Sequence, residues 1–96
     1  MERASMKTVL AHGVWDVLHA GHVAHLEAAR AMGDRLVVSV TADAYVNKGP
    51  GRPIHTDSQR MKTLLTLKCV DYVTVSNAPS AVGVIDAWRP AIYVKG

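Results

Sequence analysis

Ninety-six residues hold one small domain, with room for a single core and little apolar material to spare. Apolar residues at 49% and charged residues at 20% exclude a disordered tail, and no apolar stretch nears the roughly 20 residues of a membrane helix. The net charge of +3 suits an anionic ligand, but Lys and Arg form no run and no basic face interleaved with aromatics. Neither nucleic acid nor membrane is therefore an expected partner. A single cysteine, Cys69, can form no internal disulfide and no thiolate metal site, and a cytoplasmic setting is expected.

Residues 1–5 read as a short charged extension without the apolar stretch of a signal peptide, and the domain is expected over 6–96. The first strand is Thr8 to Ala11. Ala20 to Met32 follows as a helix, on its alanine content, the Glu27/Arg30 pair and Gly33 as a C-terminal stop. Leu36 to Val40 is a nearly continuous apolar run, the mark of a parallel strand buried on both faces. Thr56 and Gln59 have the spacing of a capping box, with Met61, Leu64, Leu65 and Lys68 at helical intervals behind them. Tyr72 to Val75 is a third strand, Pro79 to Trp88 a third helix and Ala91 to Val94 a fourth strand. This alternation predicts an α/β fold, a Rossmann-like doubly wound parallel sheet in the order 3-2-1-4. Ligands of such sheets sit beyond the carboxyl ends of the strands.

The segment after the first strand is His12-Gly13-Val14-Trp15-Asp16-Val17-Leu18-His19-Ala20-Gly21-His22. His19 and His22 bracket a helix start, where free N–H groups and the helix dipole favour a phosphate. When a phosphate monoester attacks the α-phosphorus of a nucleoside triphosphate, the nucleophile is already an anion and needs no base. The barrier is charge build-up on the α-phosphate and pyrophosphate, together with the positioning of two anions in line. Histidine, lysine and helix N–H groups are suited to that task.

Gly13-x-x-Asp16-x-x-His19-x-Gly21-His22 resembles the signature of the cytidylyltransferase-like nucleotidyltransferases. Ala29 to Val38, Lys48-Gly49, Arg52-Pro53, Gln59-Arg60-Met61, Val70 to Val73 and Val94-Lys95-Gly96 extend the similarity over nearly the whole chain from Met6. The sequence resembles in particular the adenylyltransferase part of ADP-heptose synthases, and is similar also to ethanolamine-phosphate and glycerol-3-phosphate cytidylyltransferases.

The resemblance implies transfer of CMP or AMP from CTP or ATP to a small phosphorylated sugar or polyol, with Mg²⁺ as cofactor. It implies that His19 and His22 stabilise the α-phosphate and pyrophosphate and that Lys48 holds the phosphates of both substrates. Gly13, Val14, Trp15, Asp16 and Gly21 then join His22 as nucleotide-binding residues, Arg52 and Lys95 join Lys48 as substrate-binding residues, and Asp16 lies near the metal or the helix start. A homodimer built on the stretch from Arg60 to Val73, and a fused sugar-kinase domain, are also implied. The family's fifth strand and its Ser/Thr-rich second motif have no counterpart before Gly96, so the domain is expected to be truncated there.

Several bland or rival readings compete. His19 and His22 can be polar helix caps, and Asp16 a residue that satisfies turn N–H groups. Trp15 can pack on the sheet instead of stacking on a base. Lys48 can be a loop charge, although its Gly- and Pro-rich loop sits at the ligand end of the sheet. Arg60 can face solvent, a partner or the site, and the roles of His12, His25 and His55 stay open. A zinc site from His12, His19, His22 and His25 lacks a completing ligand. A catalytically incomplete nucleotide-binding or regulatory module is the rival from another class. A class I aminoacyl-tRNA synthetase fragment shares the two histidines but lacks the length and a lysine-rich signature.

Overall fold

A computed structural model of the chain describes residues 6–46 and 49–96. The elements are β1 (Thr8–Gly13), α1 (Ala20–Arg30), β2 (Arg35–Thr41), a short 3₁₀ turn (Asp43–Tyr45), α2 (Asp57–Leu65), β3 (Tyr72–Ser76), α3 (Val82–Trp88) and β4 (Ile92–Lys95). All strand pairs are parallel and the sheet order is β3-β2-β1-β4, as the element alternation predicts.

The period of two along each strand divides the core. Val9, Ala11, Leu36, Val38 and Val40 pack with Leu26 and Ala29 of α1 and Leu64 of α2. Leu10 and Val37 face the other way and meet Val84, Ile85 and Trp88 of α3. β1 and β4 are neighbours, with α1, which follows β1, packed on one face of the sheet and α3, which leads into β4, on the other. Their carboxyl ends therefore open a crevice, the switch point where such sheets receive ligands.

Several local expectations are corrected. α1 ends at Arg30, and its C-cap is Ala31 in the right-handed helical region, so Gly33 is not a left-handed stop. Gly33 is needed for space: a Cβ there would lie 2.8 Å from both the Lys7 carbonyl oxygen and Val9 Cγ2. Arg30 pairs with Asp71, at 3.3 Å, and donates to the Gly33 carbonyl, contacts that take the place of the expected pairing with Glu27. α3 begins at Val82 and not at Pro79; it ends on Arg89 with φ of 46°, a left-handed cap just before Pro90.

The Thr56/Gln59 capping box of α2 is present with both of its reciprocal bonds. Of the two leucines that follow, Leu64 is fully buried and Leu65 is 55% exposed. The stretch from Arg60 to Val73 is thus not one surface: Arg60, Leu64 and Val70 are interior, while Leu65 and Tyr72 face out.

Candidate functional site: a histidine-capped helix at the sheet switch point

β1 delivers the chain to the carboxyl edge of the sheet, and the next six residues turn it into α1. Trp15 adopts φ of 56°, a left-handed conformation that costs a bulky residue on the order of 1–3 kcal/mol. Its surroundings enforce it. The indole is buried to 4% exposure and its Nε1 donates to the Ser39 carbonyl at 3.1 Å. Trp15 is therefore a packing residue, with no open ring face on which a base could stack.

The next residue, Asp16, is tied down as firmly. Its carboxylate accepts from the backbone N–H of Ile54 on both oxygens (3.0 and 2.9 Å), from the N–H of His55 at 3.0 Å and from Arg52 Nη1 at 3.1 Å. Burial pushes this carboxyl upward, but the His55 and Ile54 N–H groups and the Arg52 guanidinium outweigh it and lower the pKa to about 2. Three donors, with the Ile54 N–H shared between the two oxygens, engage both sides of the carboxylate. The expected metal-ligand role of Asp16 does not fit this arrangement, and the helix-start alternative does not describe it either. Asp16 is a clamp that fastens the loop after β2 to the loop after β1.

At the start of α1, His19 is the N-cap, and its Nδ1 accepts the Gly21 N–H at 3.0 Å. His22, at the third helical position, reaches back so that its Nδ1 accepts the His19 N–H at 3.2 Å. This is a capping box built from two imidazoles, whose ring centroids lie 3.9 Å apart. A neutral imidazole that accepts at Nδ1 carries its proton on Nε2. Both rings are thereby set as Nε2–H donors, and the capping and phosphate-binding readings of these residues become compatible. Gly21 makes it possible, because a Cβ there would lie 2.8 Å from His19 Cε1 and 3.0 Å from its Nδ1.

A cleft of about 360 Å³ opens above this helix end. It is bounded by Val14 to Val17, His19, His22, Arg52 and Gly96. The structure thus brings together Val14, Trp15, Asp16, His19, His22 and Arg52 of the expected site residues, with Gly13 and Gly21 supporting the floor. Arg52 presents a side chain 41% exposed while paired with Asp16. Lys95 lies on β4, exposed and beside His12 in register, outside the cleft lining. Lys48 lies outside the described residues. Among those residues, no three His, Cys, Asp or Glu side chains converge as a metal set, so the four-histidine zinc idea has no geometry behind it.

Arg60, whose role the sequence left open between solvent, a partner and the site, is an internal tie. It is 1% exposed. Nη1 donates to the carbonyls of Val14 (2.8 Å) and Thr41 (2.7 Å), Nε to that of His55 (3.1 Å), and Nη2 to Asp43 Oδ1 (2.6 Å). One guanidinium therefore ties the turn after β1 to both ends of the connection between β2 and α2. The sequence signals were its place in the family-like Gln59-Arg60-Met61 stretch and a basic residue in the first turn of a helix, where a macrodipole argument prefers acids. His25 was left open by the sequence. It sits beside Trp15, with ring centroids 6.3 Å apart, and its Nε2 is buried without a hydrogen-bond partner.

Comparisons with known proteins agree with this geometry. The cytidylyltransferase-like family model matches residues 10–96. The bifunctional protein HldE of Azotobacter vinelandii is 48% identical over 92 residues, covering 94% of this chain and 19% of that protein. HldE of Syntrophotalea carbinolica is 42% identical over 99 residues, covering 100% of this chain and 20% of that protein. The chain thus spans about a fifth of the length of the curated relatives it matches. Among solved structures, a lipopolysaccharide core biosynthesis protein from Thermoplasma volcanium GSS1 superposes with a TM-score of 0.84 at 31% identity, over 92% of this chain and 72% of that one. The parallel sheet, the histidine-capped helix at its switch point and a family match over all but the first nine residues lead to one conclusion: the chain belongs to the cytidylyltransferase-like family.

Proposed function

We propose that this domain transfers a nucleotidyl group from ATP or CTP to a small phosphorylated sugar or polyol and releases pyrophosphate. The observation that carries this reading is the imidazole capping box. Two Nε2–H donors are held at a helix N-terminus, where the macrodipole adds its own positive potential. Such donors are fixed before the reaction, so they meet developing charge on the α-phosphate and pyrophosphate without reorganising.

In this reading the triphosphate enters the cleft over His19 and His22, with the backbone of Gly13 to Asp16 as its floor. The incoming phosphate monoester attacks the α-phosphorus, its oxygen forms the new P–O bond, and the bond to pyrophosphate breaks. No general base is required, since the nucleophile is ionised. Arg52, Lys48 and Lys95 are the cations assigned to the two substrates' phosphates. Mg²⁺ enters with the triphosphate, and Asp16, whose carboxylate is engaged on both sides, is not assigned to it.

The fused kinase domain and the homodimer belong to the same proposal. Leu65 and Tyr72, at 55% and 48% exposure, are the apolar side chains that the α2–β3 stretch offers to a second copy. Light scattering that finds only monomer at high concentration would remove the dimer.

Pyrophosphate release, assayed with ATP or CTP against a panel of sugar phosphates and glycerol 3-phosphate, tests the reaction. Release that depends on both substrates is expected. Tight nucleotide binding with no release for any acceptor would favour the rival reading, a nucleotide-binding module.

A further inference from the structure

Trp15 is held more tightly than the filling of a small core requires. Its backbone sits in the left-handed region at φ of 56°, and its Nε1 donates to the Ser39 carbonyl at 3.1 Å. Two glycines leave room for the rest of the indole. A Cβ at Gly13 would stand 3.0 Å from its Cε2, and one at Gly96 only 2.5 Å from its Cη2 and Cζ2. The ring therefore lies in a slot between the ends of β1 and β4. One hydrogen bond and two close walls fix its plane.

The first turns of α1 lie against the same ring. The indole meets His22 edge-to-face, with centroids 5.7 Å apart at 71°. It meets His25, one helical turn later, at 6.3 Å and 34°, and His22 meets His19 at 3.9 Å. Four rings thus touch in the order His25, Trp15, His22, His19. His25 keeps its place on the indole while its Nε2 is buried without a hydrogen-bond partner, an arrangement that normally costs stability. Ring contact with Trp15 takes precedence there over a polar one.

His22 has its Nδ1 on the His19 N–H at 3.2 Å. That bond selects the nitrogen that carries the proton, but it leaves the ring plane to be set by what packs against it. Among its ring neighbours, His19 is exposed, whereas Trp15 is buried and immobile. Edge-to-face pairs have a preferred mutual orientation, so a fixed indole transmits its own plane to the imidazole.

We propose that Trp15 is the positioning residue of His22: its indole fixes the plane of the imidazole and so aims Nε2–H into the cleft. The catalytic side of this role rests on the nucleotidyl-transfer reading, in which the donor must already point to where charge develops on the phosphates. The slot between Gly13 and Gly96 then has a purpose. It refers the direction of one helix-borne donor to the two strands that border the crevice.

Imidazole nitrogen resonances of the 96-residue chain, recorded at mildly alkaline pH without any ligand, test the geometry. In the parent, His22 should show one neutral tautomer, protonated on Nε2. In Trp15→Leu its two nitrogens should shift toward the averaged values of a free imidazole. The amide of Gln59, in the capping box of α2, should stay in place and certify the fold. Should Trp15→Leu fail to fold, Trp15→Phe, which keeps a ring and loses the bond to Ser39, must move His22 in the same direction. Unchanged His22 resonances in whichever variant folds would overturn the proposal.

Kinetics supply the second arm. Trp15→Leu should lower turnover about 10²-fold, the effect of misplacing a catalytic donor by about 1 Å, with KM for the nucleotide within about twofold. In a His22→Ala background the same substitution should cost less than about twofold, because the ring through which it acts is already gone. A loss as large as in the parent would mean that Trp15 serves only the fold, and would also overturn the proposal. If the parent binds nucleotide but releases no pyrophosphate with any acceptor, the reaction reading falls, and the imidazole resonances alone decide for Trp15.

Discussion

Arg60, on α2, holds the carbonyl of Val14 at 2.8 Å across 46 residues of sequence. Val14 belongs to the turn that forms the cleft floor, so the position of that floor depends on a guanidinium from a helix far along the chain. Replacing Arg60 by Leu would strand the carbonyls of Val14, Thr41 and His55 and the carboxylate of Asp43. Removing one partner from a buried charged network typically costs about 3–5 kcal/mol, a large part of the stability of a domain this small. Arg60→Lys should recover less than half of the loss, since an ammonium cannot reproduce the planar fork. Urea denaturation of the two variants and the parent measures both effects.

His22→Ala separates catalysis from binding. Loss of one preorganised donor to developing charge should lower turnover by about 10²–10³-fold. Its ground-state hydrogen bond to a phosphate is worth only roughly 1.5–3 kcal/mol, so nucleotide affinity should fall less. Steady-state kinetics with a nucleotide titration reads the difference. Lys48→Ala should instead raise KM together with any fall in turnover, because a cation that grips ground and transition states alike contributes uniform binding.

Gly21→Ala should leave stability nearly unchanged while weakening phosphate binding. Alanine gains roughly 1 kcal/mol of helix propensity over glycine, which offsets the lost cap from His19, worth about the same. The displaced His19 ring, however, can no longer be held by the Gly21 N–H. The melting temperature should therefore stay within a few degrees of the parent, while phosphate affinity, measured by calorimetry, drops about tenfold. A fall in both would mean that the affinity loss follows from damage to the fold.

Asp16 gives a pH signature. Its pKa is 3.8 in the reference state and about 2 in the fold. A depressed carboxyl contributes stability that is fully present above the reference value and disappears as pH falls through the folded one. The parent should therefore lose an increment of stability between about pH 4 and pH 2. Asp16→Asn should lack that increment, while being less stable than the parent at neutral pH. Denaturation midpoints across this range check the sign.

Much of this architecture is legible in the sequence because it follows from local chemistry. The nearly continuous apolar run from Leu36 to Val40 marked a buried central strand, and Thr56 with Gln59 a helix start that the structure reproduces bond for bond. The histidine pair was legible as the bracket of a helix start, and the structure has both imidazoles capping it. What stayed hidden depends on residues far apart in the chain. Nothing around Asp16 says that it is fastened to loop residues 36 to 39 positions later. Nothing around Arg60 says that three carbonyls converge on it. Arg30 could be read as Glu27's partner only because helical spacing is visible and the approach of Asp71 is not.

Trp15 has one further consequence. Its indole makes an edge contact with the His22 ring at 5.7 Å between centroids, while the chain's other tryptophan, Trp88, packs on the opposite face of the sheet. The site therefore contains its own fluorophore. An anion drawn to His22 alters the electric field at the nearly buried indole beside it, and so alters its emission. In a Trp88→Phe background that emission would follow occupancy of the helix end directly, without a label and whether or not any reaction takes place.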